Sequence, residues 1–203
     1  MRQYFRLEDD LEVLDRWYLN GIADGTGTKL DSRDFTYGKP ITIEPSLLLS
    51  LPHEDRLVEV QQPLTVAIRQ PGRPLEFTFA EFEMPVVRRG VIDVISEFCE
   101  ADFQRIPVDV GRRRDEYEIL NVSKRVECID RFRSDILWWT ESDERHDKIG
   151  KPRMVNNLVI DPTRIDEVEM FRIEGWEIAL VVSAQVKKAL EKMQASGLVF
   201  AEV

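Results

Sequence analysis

Residues 86–108 read VVRRGVIDVISEFCEADFQRIPV, and residues 181–203 read VVSAQVKKALEKMQASGLVFAEV. The two stretches carry the same apolar skeleton, 95 positions apart. In each, a pair of valines precedes apolar residues spaced three and four apart, which is the spacing that lines one face of an α-helix. A second apolar run then closes the stretch. Each stretch therefore predicts a strand, a helix and a strand, and the offset predicts a chain of two homologous halves.

The two predicted helices differ in their end signals. The first spans about residues 91–101 and the second about residues 184–196. Ser183 is a good N-cap for the second helix, and Gly197 can adopt the left-handed conformation that ends a helix. At the equivalent positions of the first copy stand Arg88 and Asp102, so the cap serine is lost while a residue that tolerates the left-handed turn remains. The predicted inner faces consist of Val91, Val94, Ile95 and Phe98 in the first helix and of Val186, Ala189, Leu190 and Met193 in the second.

Strands dominate the rest of the prediction. The sequence Asn20-Gly21 is a turn signal, and residues 111–115 are the best boundary between the halves. We therefore predict an α+β fold with mainly antiparallel strands, in two homologous halves, residues 1–111 and 112–203, which can pack as one globular unit. Apolar or alternating runs predict strands at residues 4–7, 17–19, 41–43, 47–51, 57–60, 64–68, 76–82, 103–108, 117–122, 125–129, 136–139, 155–160, 170–173, 178–182 and 198–203.

Composition and charge exclude several functional classes. The chain has 203 residues, of which 43% are hydrophobic and 33% charged, as in ordinary soluble domains. No apolar run is long enough to cross a bilayer, and the first ten residues mix arginines with acids, so we expect a cytoplasmic protein. The net charge of −10 disfavours nucleic acid and anionic lipid as partners. An acidic surface permits a basic protein partner without requiring one.

No residue pattern predicts catalysis, a metal or a cofactor. His53 and His146 lie in polar stretches without zinc-ligand spacing, and Cys99 and Cys128 are interpreted as reduced core residues. Residues 25–29, Gly-Thr-Gly-Thr-Lys, lack the spacing of a phosphate loop and are interpreted as a surface loop. Neighbouring acids are common, but adjacency in sequence does not create a catalytic pair.

The order of several short motifs resembles a known family over nearly the full length of the chain. The motifs are Arg16-Trp17-Tyr18-Leu19, Pro85-Val86-Val87, Gln104-Arg105-Ile106-Pro107-Val108, Tyr117-Glu118-Ile119-Leu120-Asn121-Val122, Cys128-Ile129-Asp130 with Ser134, Phe171-Arg172-Ile173 with Gly175-Trp176, and Gly197 with Phe200. In this order and spacing, the chain resembles a bacterial immunity protein family found beside polymorphic toxins. The resemblance implies a cytosolic protein that neutralises a cognate toxin by binding it, without catalytic residues.

Two exterior features are candidate partner sites. The first joins two large aromatics to an acidic segment, and aromatic anchors with a charged rim are typical of protein interfaces. It consists of Trp138, Trp139, Glu141, Asp143, Glu144 and Asp147. The alternative interpretation is that one tryptophan faces the core and the acids form a solvated loop. The second is the outer face of the first helix, with Asp93, Glu97 and Glu100, where the second helix carries Lys187, Lys188, Glu191 and Lys192.

Three functions remain open at this stage. The preferred one is an immunity protein that binds a protein toxin, and the acidic surface permits that toxin to be basic. The second is a small cytosolic enzyme whose site is assembled from scattered acids, and the third is a non-catalytic scaffold module. The sequence assigns no oligomeric state.

Overall fold

A computed structural model describes residues 2–38, 41–44, 47–50, 58–61 and 63–203. The two α-helices are α1 (Arg89–Cys99) and α2 (Ala184–Lys192). The strands are β1 (Tyr4–Asp9), β2 (Tyr18–Ala23), β3 (Ile41–Glu44), β4 (Leu47–Ser50), β5 (Val58–Gln61), β6 (Thr65–Gln70), β7 (Phe77–Ala80), β8 (Met84–Arg88), β9 (Phe103–Val110), β10 (Arg113–Val122), β11 (Arg125–Val126), β12 (Asp135–Trp138), β13 (Pro152–Asn157), β14 (Met170–Ile173), β15 (Trp176–Ser183) and β16 (Leu198–Glu202). Neither helix is long and apolar enough, within the described ranges, to cross a membrane.

Most strands form two large sheets. One has six strands in the order β2-β6-β9-β10-β8-β7, and the other has five in the order β11-β14-β15-β1-β16. Their strands pair antiparallel, except for β6 with β9 and β11 with β14. Two smaller sheets consist of β3-β4-β5 and of β12-β13. The predicted α+β fold with mainly antiparallel sheets is therefore confirmed.

Each helix connects two parallel strands that flank a third strand. Helix α1 links β8 to β9 on either side of β10, and α2 links β15 to β16 on either side of β1. In the six-stranded sheet the middle strand is β10, which follows β9 directly in the sequence. In the five-stranded sheet it is β1, which lies far from α2 in the sequence. The predicted boundary between the halves, at residues 111 and 112, falls in the turn between β9 and β10. These two strands are hydrogen-bonded to each other across that boundary. That the halves are homologous stays a prediction.

The alternation of side chains along the strands builds the core on both faces of each sheet. On β15, Leu180 and Val182 point toward a central cluster, while Ala179 and Val181 point to the opposite face. Both helices contribute to the central cluster, and so do Val87 and Leu120 of the six-stranded sheet, so the cluster lies between the two sheets. The buried members from the predicted inner faces are Val91, Ile95, Val186 and Leu190, and Phe98 and Met193 pack against them half-buried.

The helix ends show which sequence signals were correct. Ser183 caps α2, because its hydroxyl accepts a hydrogen bond from the amide of Val186. The prediction that Gly197 ends the helix was wrong, since α2 ends at Lys192 and Gln194 takes the left-handed conformation at φ 57°. Gly197, at φ 97°, lies in the loop before β16, where a Cβ would come within 2.1 Å of the carbonyl oxygen of Phe77.

The turn predicted at Asn20-Gly21 was also wrong, because both residues lie inside β2. At Gly21 a Cβ would sit 2.2 Å from the Oε2 atom of Glu81. Gly21 therefore allows the Glu81 side chain to approach the strand closely. Glycine inside a strand can thus mark a close approach and not a turn.

Candidate functional site

The two tryptophans lie on a hairpin that projects from the outer face of the five-stranded sheet. We call β12, β13 and their connecting loop, residues 135–157, the arm. Ile136 and Val155 face each other across the two strands, and both pack onto the outer hydrophobic cluster of that sheet. Successive strand residues point to opposite sides, so Leu137 and Met154, which are also paired, face solvent. Their exposures of 50% and 53% give the arm an apolar outer face.

Both tryptophans are half-buried and covered by cations. The guanidinium of Arg131 lies 5.3 Å from the ring centroid of Trp138. Trp139 contacts two cations, because Lys148 Nζ is 5.4 Å and the Arg153 guanidinium 4.8 Å from its ring. These distances are those of cation–π contacts, which hold an aromatic ring in place near solvent. The tryptophans are therefore ordered and remain partly accessible, instead of one being lost to the core.

Two of the four acids predicted for the site are already paired with arginines of the arm. Asp143 accepts hydrogen bonds from Thr140 and forms an ion pair of 2.5 Å with Arg153. The bonds from the Thr140 backbone and hydroxyl, aided by Arg153, lower the pKa of the Asp143 carboxyl. Asp147 binds Arg145 through two hydrogen bonds of 3.0 Å, and the bond to Arg145 is the main reason its pKa is lowered.

Of the four predicted acids, Glu141 and Glu144 remain open to a partner. Both are exposed, and neither forms an ion pair with another residue in the described part of the chain. The structure thus brings the six predicted residues together on one arm. It also adds arginines and lysines, so the arm carries a mixture of charges instead of an acidic surface.

The sequence reasoning missed Phe132, a fully exposed aromatic beside the arm. Its side chain has a relative exposure of 101%. The Asp130 carboxylate fixes the turn, because it accepts hydrogen bonds of 3.0 and 3.1 Å from the amides of Phe132 and Arg133. The available signal in the sequence was an aspartate two residues before an aromatic residue that has an arginine on each side. An exposed ring on a hydrogen-bonded turn is a candidate interface anchor.

A cleft of about 930 Å³ separates the base of the arm from the end of β16. Asp130, Arg133 and Asn157 line it on the arm side, and Glu202 lines it on the other. Within it, Glu169 forms an ion pair of 2.7 Å with Arg2. The charged side chains of the lining comprise two arginines, Arg2 and Arg133, and four acids, Asp130, Asp161, Glu169 and Glu202. The cleft is therefore acidic on balance.

The other sequence candidates lie apart from the arm. Asp93 on α1 forms an ion pair of 2.8 Å with Arg105, while Glu97 and Glu100 are exposed. On α2, Lys187 pairs with Glu191 at 2.5 Å. The opposite charges of the two helix faces are thus partly neutralised within the protein.

The groups considered for catalysis or metal binding are not assembled into a site. Cys99 and Cys128 are free and buried, and burial raises the pKa of each thiol to about 12. His146 is exposed on the arm, and His53 lies outside the described residues. Two amides of the loop at residues 25–29 are already used, because the Asp24 carboxylate accepts hydrogen bonds from the amides of Thr26 and Thr28. No cluster of three or more histidines, cysteines or acids suited to a metal occurs among the described residues.

Comparison with known proteins gives one finding. The model of the immunity protein family Imm11 matches residues 96–203, just over half of the chain. No curated protein matches the chain. The matched range contains the arm, α2 and β16, whereas β1 to β8 precede it.

Proposed function

Because this chain belongs to the Imm11 immunity protein family, we propose that it protects a bacterial cell by binding and neutralising a cognate protein toxin. The family match is the observation that carries this proposal. The protein acts stoichiometrically in the cytoplasm, and no catalytic step or cofactor takes part. Neutralisation then requires only that the bound protein covers or distorts the working surface of the toxin.

The arm is the contact surface that we propose. Trp138, Trp139, Glu141, Asp143, Glu144 and Asp147 all lie on it. Trp and Arg are the residues most often found at the energetic centre of interfaces, and a tryptophan that already contacts two cations loses little conformational freedom on binding. Phe132, Leu137 and Met154 extend the apolar area around it. A standard interface of about 1,600 Å² in total would cover the arm and its base.

Charge favours a basic toxin. The protein carries a net charge of −10, and the cleft beside the arm is acidic on balance. Complementary charge raises the rate of association and depends on salt, whereas central apolar anchors mainly determine the rate of dissociation. Glu141 and Glu144 would contribute to association, because their charges are not neutralised within the arm.

The test measures association with the protein products of the neighbouring genes, among which we expect a toxin. In the double variant Glu141→Lys/Glu144→Lys, we expect association at low salt to slow by about tenfold and to become less dependent on salt. The matched control is Glu97→Lys/Glu100→Lys at the end of the first helix, which changes the net charge equally on the other candidate surface. Equal slowing in both variants would show that the effect is not specific to the arm.

A second variant tests the anchor. Trp139→Ala should speed dissociation by roughly 30-fold, as expected for the loss of about 2 kcal/mol at an interface centre. The comparison requires variants that melt like the parent protein, because Trp139 also contacts Lys148 and Arg153. If both arm variants bind the toxin and protect cells as well as the parent does, the site lies elsewhere. Absence of binding by the parent protein would refute the immunity function itself.

A further inference from the structure

Strand β16 is an open edge of the five-stranded sheet. It pairs with β1 on one side, and no hydrogen bond within the described residues reaches its other side. Both edges of the six-stranded sheet are at least partly covered. On β7, the amide of Phe77 donates to the carbonyl of Ser196 at 3.0 Å, and on β2 the carbonyl of Ile22 accepts from Leu30 at 2.9 Å. Open edges are normally covered or blocked, because they pair with other chains.

A groove accompanies this edge on the side of α2. Its volume is about 370 Å³, and its floor is apolar, formed by Leu190, Ala195, Leu198 and Phe200. The ammonium of Lys187 lies 5.3 Å from the ring centroid of Phe200. In a strand added beside β16, every second side chain would point toward the helix side of the sheet. The groove therefore fits apolar side chains from such a strand.

We propose that β16 binds an extended segment of the toxin, which adds a sixth strand to this sheet and inserts apolar side chains into the groove. This inference rests on the proposed function and names a second contact of the same complex. Main-chain hydrogen bonds would supply part of the affinity, and the groove would select alternate apolar side chains.

The occupant is a partner segment and not a second copy of this chain. A second β16 could pair with the edge, but its Leu198 and Phe200 already pack in its own core. It would have no free apolar side chain for the groove. A segment that is extended before binding keeps its apolar side chains available.

The position of the edge agrees with the arm as the other contact. Glu202, the last residue of β16, lines the same cleft as Asp130 and Asn157 at the base of the arm. One partner can therefore reach both surfaces across the cleft. Near the edge, Lys187 is paired with Glu191, while Glu202 has no ion-pair partner among the described residues. The Glu202 carboxylate, where the edge meets the acidic cleft, can attract a basic residue of the segment.

Amide hydrogen exchange tests the edge directly, with the toxin identified among the neighbouring gene products as the probe. In an antiparallel ladder, alternate amides of β16 point away from β1. When the toxin binds, these amides should exchange at least about tenfold more slowly, because they become part of a new ladder. Toxin binding without slower exchange in residues 198–202 would overturn the inference while leaving the proposed function intact.

A matched pair of substitutions separates the edge from general surface effects. Val199→Lys places a charge on the open edge, which natural proteins use to prevent strand addition, and should weaken toxin binding by at least about tenfold. Ile178→Lys adds the same charge on β15, at an exposure of 42% compared with 41% for Val199. This control should bind within about twofold of the parent, because β15 is an inner strand and Ile178 does not border the open edge. Equal binding by the two variants would overturn the inference, as would a dimer whose β16 amides are protected without toxin.

Discussion

Replacing Leu190 by alanine tests whether the two helices share one core between the sheets. Leu190 lies on α2 with a relative exposure of 1%, in the central cluster that also contains Val91 and Ile95 of α1. The substitution removes three carbon atoms from an apolar environment, which costs about 2.5 kcal/mol at about 0.8 kcal/mol each. The space left behind adds up to about 2.5 kcal/mol, because a core enclosed by two sheets and a second helix cannot fully collapse. We therefore expect the free energy of unfolding to fall by about 2.5 to 5 kcal/mol.

Urea unfolding followed by circular dichroism measures this change. The midpoint should decrease while the slope with urea stays constant, since the same surface is exposed on unfolding. Lys188→Ala is the matched control, because Lys188 is exposed on the same helix, and it should change stability by less than about 0.5 kcal/mol. A loss below about 1 kcal/mol for Leu190→Ala would refute the shared core.

Two further outcomes test the buried groups. Because burial raises the pKa of Cys99 and Cys128 to about 12, neither thiol should react appreciably with a disulfide reagent at pH 8 until urea unfolds the protein; rapid reaction in the native state would contradict their burial. Gly197→Ala should lower the free energy of unfolding by more than about 1 kcal/mol in the same urea assay, because φ is 97° and the new Cβ would collide with the carbonyl of Phe77, and an unchanged midpoint would contradict this packing.

Local patterns predicted the elements well, because their causes are local. The apolar spacing of three and four residues predicted both helices, although α1 begins and ends two residues earlier than expected. The cap at Ser183 depends on an amide three residues away and was also correct. The order of strands was not predictable in this way. Which strand lies between β15 and β16 depends on β1, more than 160 residues away, and no local signal encodes that pairing.

The candidate site was predictable in its location but not in its electrostatics. Trp138 and Trp139 stand out in the sequence, and the structure places both on the arm. The pairing of Asp143 with Arg153 arises from the hairpin, which brings residues ten positions apart into contact. Because the acids are close together in the sequence, they predict one acidic surface. In the fold, ion pairs with arginines neutralise two of them, Asp143 and Asp147. The open edge of β16 was equally hidden, because edge position is a property of the whole sheet.

The central position of β1 has a consequence for how the protein forms. Strand β1 leaves the ribosome more than 160 residues before its partners β15 and β16. The five-stranded sheet therefore closes only after β16 has been made, and contacts of such long sequence separation slow folding. A cell must therefore hold molecules synthesised through β16 before a toxin arrives, since a shorter chain has β1 but lacks the open edge that β1 supports.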